Sequence, residues 1–96
     1  MRIKTTPWDA AEFLTSDEAI AEYLTLSLES EDPREIAHAL GVVARARGGI
    51  AELARQTGIT REALYRALSD SGNPELGTIL KVLRALGVRL TASMVA

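Results

Sequence analysis

Residues 50–68, IAELARQTGITREALYRAL, carry two apolar patterns of helical period separated by the triplet Thr57-Gly58-Ile59. No single helix runs easily through that triplet, so two short helices must meet there at a steep corner. Ile50, Leu53 and Ala54 share one face of the first helix, and Leu64, Ala67 and Leu68 share one face of the second. Ile59 is placed to plug the angle between them, and Ala54 is small where two crossing helices come closest. Gly58 can adopt positive φ, which ends the first helix and turns the chain in about three residues. Thr60 is then a good N-cap, its hydroxyl accepting from the amide of Glu62 or Ala63. These are the stereochemical demands of a helix-turn-helix. They are met equally by a hairpin that merely folds one helix onto another.

The outward residues of the second helix bear on that choice. With the apolar face turned inward, Arg61, Glu62, Tyr65, Arg66 and Ser69 remain outside. Arg61 and Tyr65 are one turn apart, as are Glu62 and Arg66, so all four can project from one surface. Arginine can contact guanine in bidentate fashion, glutamate can accept from cytosine, and tyrosine can reach a phosphate or a thymine methyl. The start of the preceding helix, Gly49 to Ala51, offers unpaired N–H groups without a bulky side chain, which suits a phosphate. The plainer reading is an exposed Glu62–Arg66 pair worth a few tenths of a kcal/mol.

Charge is divided along the chain. Residues 1–40 hold three basic and nine acidic groups, a balance of −6, and residues 41–96 hold eight basic and four acidic, a balance of +4. Two partners of opposite charge would require such a division. A solvated acidic helix face that happens to fall early would produce it too. The chain has 96 residues, enough for one core. It contains no Cys and a single His, His38, so neither a disulfide framework nor a thiolate or histidine-cluster metal site is expected. No Ser/His/acid set, phosphate loop or pocketed carboxylate pair can be assembled, so an enzyme and a cofactor are not expected. No secretory signal and no run of about 18 apolar residues are found, and a cytoplasmic protein without membrane attachment is expected.

Helix punctuation recurs throughout. Thr6 and Pro7 can start a short helix through Phe13, and Ser16 can cap a second bearing the stripe Ile20, Tyr23, Leu24 and Leu28. Asp32-Pro33 starts a third, with Ile36, Leu40, Val43 and Ala44 inward, ended by Gly48-Gly49. After the corner, Asn73 and Pro74 are expected to open a last helix with the stripe Leu76, Ile79, Leu80 and Leu83, stopped by Gly87. The final VRLTASMV then alternates with period two, which predicts a strand over residues 88–96. One strand cannot satisfy its own backbone. It must pair with Arg2-Ile3-Lys4, with a copy of itself, or with a partner protein.

TPWDAAEFL, ARARGGIAELARQTGITREALYRAL and GNPELGTILKVLRALG together resemble the probable addiction-module antidote proteins, HigA-like antitoxins with an Xre-type helix-turn-helix. The likeness runs from about Lys4 to Arg89. It implies an all-α, lambda-repressor-like bundle of five to six helices with an N-terminal helical extension and a short C-terminal strand. It further implies a bacterial protein that blocks a RelE/ParE-like toxin and represses the shared operon, usually as a homodimer on a palindrome. Thr60, Arg61, Glu62, Tyr65 and Arg66 match the recognition-helix positions. On this reading residues 1–32 form an acidic extension that meets the toxin, residues 33–87 form the DNA-binding core, and residues 88–96 form the strand. Trp8 and Phe13 are the candidate apolar anchors for the toxin, although core packing is the better reading of Trp8. A repressor without a toxin and a purely protein-binding helical adaptor are the alternatives.

Overall fold

The computed structural model describes residues 11–69 and 71–95, which contain five helices: α1 (Asp17–Glu29), α2 (Pro33–Ala46), α3 (Gly49–Thr57), α4 (Arg61–Ala67) and α5 (Leu76–Ala85). Residues 11–13 are also helical, and Thr6, Pro7 and Trp8 lie outside the described residues. The starts of α1 and α2 follow from side-chain caps. The Ala19 amide donates to the Ser16 hydroxyl (3.1 Å), and the Arg34 amide donates to the Asp32 carboxylate (3.0 Å) ahead of Pro33 in the first turn. Arg47, just past α2, forms an ion pair with Asp17 in the first turn of α1 and so ties the two helix ends together.

α2 is the centre of the molecule. Ala37 and every residue from Ala39 to Ala44 are buried, so the middle of this helix is enclosed on all sides, where the sequence pattern predicted a single inward stripe. Small residues make the enclosure possible. A Cβ added to Gly41 would lie 3.1 Å from the Leu68 carbonyl oxygen, so the end of α4 sits almost directly on the α2 backbone. Ile20 and Leu24 from α1, Leu53 from α3, Leu64 and Leu68 at α4, and Val82 and Leu83 from α5 complete one core around α2. Tyr23 is half-buried against it, and burial pushes its phenol up, opposed by the Arg45 guanidinium.

The last helix differs from expectation. It begins at Leu76 with Glu75 as cap, so Asn73 and Pro74 lie before it and neither caps it. The chain first turns back against the end of α4, where Gly72 is buried, and helix geometry resumes only beyond that contact. Val82 and Leu83 are buried and Ile79 packs against them, leaving Leu76 and Leu80 exposed, so the inward stripe is rotated from the one predicted.

No strand is present among the described residues, and the strand expected at the C-terminus is absent. α5 ends in a Schellman motif, the Gly87 amide donating to the Arg84 carbonyl (3.1 Å) and the Val88 amide to the Leu83 carbonyl (2.9 Å). Beyond Val88 the described backbone makes no hydrogen bond, because no neighbouring strand among the described residues is placed to receive one. Val88 and Leu90 instead lie over the seam formed by Leu24, Leu28, Ile36 and Ile79.

Leu64 is fully enclosed, with 0% exposure. Leu64→Ala should lower unfolding free energy by about 2–5 kcal/mol, through lost transfer energy and the cavity left behind. Urea unfolding followed by circular dichroism checks this, with a lower midpoint at little-changed slope expected.

Candidate nucleic-acid interface

The corner between α3 and α4 is built as its residue types require. Gly58 ends α3 with φ +76° while its amide donates to the Ala54 carbonyl (2.9 Å). Nothing lies within 4 Å of where a Cβ would sit, so the glycine is required by the backbone angle and not by space. Thr57 bridges the bend, its hydroxyl donating to the Leu53 carbonyl (2.8 Å) and accepting from the Ile59 amide (3.2 Å). Ile59 is half-buried against the core. Thr60 caps α4 by accepting from the Ala63 amide (3.1 Å), one of the two partners its position allowed.

With Leu64 and Leu68 inward and Ala63 and Ala67 half-buried, the other residues of α4 face solvent. Thr60, Arg61, Glu62, Tyr65 and Arg66 are all exposed, Tyr65 at 62%. Glu62 and Arg66 do not form an ion pair among the described residues, and neither does Arg61, so two guanidiniums and a carboxylate on α4 are uncommitted. Access to α4 from outside is therefore open. Gly48 and Gly49 both have positive φ, at +106° and +92°, and α3 begins without a side-chain cap. Gly49 is half-buried and Ala51 exposed, and no side chain takes the first-turn amides of α3.

The structure also shows a cluster that the sequence reading passed over. Arg55 donates to both carboxylate oxygens of Glu52 (3.0 and 2.5 Å), and the Gln56 amide donates to one of them (2.9 Å). The Arg55 hydrogen bond holds the Glu52 carboxyl below its ordinary value. Spacings of three and four on one helix were the available signal. The cluster engages Arg55 within α3, which distinguishes it from Arg61 and Arg66.

On the opposite charge class, residues 11–33 contain seven acidic groups and no Lys or Arg. Six of the seven are exposed, with Asp32 half-buried. Phe13 stands among them at 77% exposure, and Leu26 on α1 is also exposed. Trp8, the other expected anchor, lies outside the described residues. His38 is half-buried in a shallow groove beside Asp32, Arg34 and Glu35.

Residues 4–94 match the model of a family described as probable addiction module antidote protein. The chain belongs to that addiction-module antidote family. A protein of Haemophilus influenzae (strain Rd), named only as uncharacterized, is 46% identical over 82 residues, covering 85% of this chain and 84% of the relative. No solved structure matches the chain. Membership of an antidote family carries an antitoxin role and a cognate toxin as partner. Among the described residues no helix is long and apolar enough to cross a membrane.

Two substitutions probe how the corner itself is held. Thr60→Ala removes the cap and should cost about 0.5–2 kcal/mol. Gly58→Ala forces a side chain into the left-handed region and should cost on the order of 1–2 kcal/mol. Thermal unfolding should show both proteins less stable, with native helix content retained at 20 °C or below.

Proposed function

We propose that this antitoxin is HigA-like: α3 and α4 form an Xre-type, lambda-repressor-like helix-turn-helix, and the protein represses its own operon while neutralising a RelE/ParE-like toxin. The observation that carries the DNA-binding half is the open outer face of α4, where Arg61, Glu62, Tyr65 and Arg66 stand exposed and without ion pairs above a fully buried Leu64. Those groups suit base edges and phosphates of a major groove, and the amides at Gly49 and Ala51, which no side chain caps, suit an adjacent phosphate. Two copies acting as a homodimer would set their α4 helices in successive major grooves about 34 Å apart, on a palindromic operator.

Support for the toxin half comes from the antidote family and from charge. An acidic surface without a cation between residues 11 and 33 complements a basic partner and would steer its approach. Phe13 is an exposed apolar group at its edge, and Trp8 precedes the segment in the sequence. Family membership also weighs against a repressor that lacks a toxin, the runner-up reading.

Arg61→Ala should weaken binding to an operator fragment by about 1–3 kcal/mol while leaving the fold intact. Gel-shift titration at moderate salt measures this, and unchanged affinity would remove Arg61 from the interface. For the toxin surface, deleting residues 1–32 is a poor test because Ile20 and Leu24 belong to the core. Glu22→Lys with Glu29→Lys, both exposed, is better. Surface plasmon resonance with the toxin encoded beside this gene should show slower association of the double variant. An unaltered association rate would move the contact elsewhere.

A further inference from the structure

We propose that residues 89–95 are one half of a two-stranded antiparallel ribbon, completed by the same segment of a second copy, in a register centred on Ala92. The inference deepens the homodimer reading above and rests on it, by naming where the copies join.

Three observations lead to it. First, the segment alternates as a strand does, yet past Val88 its backbone has no hydrogen-bond partner among the described residues. Second, the apolar members are treated unequally. Val88 is half-buried, Leu90 lies over the seam at 42% exposure, and Met94, next but one in the same alternating set, is 97% exposed. A single copy therefore covers the beginning of the apolar face and leaves its end bare. Third, the sequence is self-complementary about Ala92. Antiparallel pairing there sets Leu90 opposite Met94, Thr91 opposite Ser93, and Arg89 opposite Val95. Residues directly opposed share a face, so Leu90, Ala92 and Met94 of both copies make one apolar side and Thr91 and Ser93 make the polar side.

A shift of one residue would set Leu90 against Ser93 and mix the faces. The two-fold axis of a homodimer permits this antiparallel arrangement, because each copy offers the same patch to the other. Like charges are kept apart as well: the two Arg89 residues stand six positions from one another, about 20 Å along the ribbon. Each Met94 would then lie beside the partner's Leu90 and over the partner's seam, which accounts for its bareness in one copy.

The absence of native Cys makes cross-linking clean. Full-length Ala92→Cys under mild oxidation should give a reducible covalent dimer, and Arg89→Cys should not, since a disulfide does not span Cα atoms more than about 7 Å apart. Opposed pairs alternate between hydrogen-bonded and non-hydrogen-bonded sites, so a mixture of Thr91→Cys and Ser93→Cys chains tests the other phase. Met94→Asp, at a site exposed in the single copy, should raise the dimer dissociation constant at least tenfold in sedimentation equilibrium. The proposal is overturned by a wild-type chain that stays monomeric at about 100 μM, by no cross-link in either phase, or by a dimer indifferent to Met94→Asp. That last result would point to the exposed Leu76 and Leu80. Fluorescence anisotropy on the operon's promoter fragment separates the two readings: a cross-linked dimer without DNA affinity keeps the ribbon and loses the repressor, and a monomer that binds a half-site does the reverse.

Discussion

The close seating of α4 on α2 governs the rest of the structure. Gly41 lets the Leu68 carbonyl approach the α2 backbone, and Leu64 joins Val42 and Val43 in one buried core. With those contacts made, the inner face of a seven-residue helix is fixed and its outer face is fixed with it. A helix this short has little stability of its own, since most of what holds such elements is packing of the apolar side. The orientation of Arg61, Tyr65 and Arg66 is therefore set by side chains they do not touch.

The corner was readable in the sequence because each of its demands is local. Thr57, Gly58, Ile59 and Thr60 act on neighbours within a few residues, and the structure gives each the role its chemistry suggests. Caps at Ser16 and Asp32 were readable for the same reason. What was not readable depends on distant chain. The enclosure of the middle of α2 needs α1, α3, α4 and α5 to be in place, and nothing in Ala37 or Ala39 alone distinguishes a second buried face from a tolerated small residue. The delayed start of α5 likewise reflects Gly72 turned against the end of α4, a contact invisible to a rule about Asn-Pro.

Period two at the C-terminus was a true property of the side chains and an incomplete statement about the backbone. Alternation tells which residues share a face, but a strand exists only where another backbone accepts its hydrogen bonds. The site residues show a parallel division. That Arg61, Glu62, Tyr65 and Arg66 are outward was implied by the position of Leu64, whereas the engagement of Arg55 with Glu52 and the freedom of Arg66 from Glu62 needed coordinates.

The acidic helix and the basic corner are not separate modules. α1 contributes Ile20 and Leu24 to the same interior that seats Leu64, and Arg47 clasps Asp17 across the helix ends. Many proteins of two tasks carry one on a detachable tail that proteolysis can strip away while the other persists. Here a protease that catches the chain in a globally opened state would abolish both tasks in a single event. On the proposed function, the lifetime of the antidote would then set one common clock for the release of its toxin and the return of transcription.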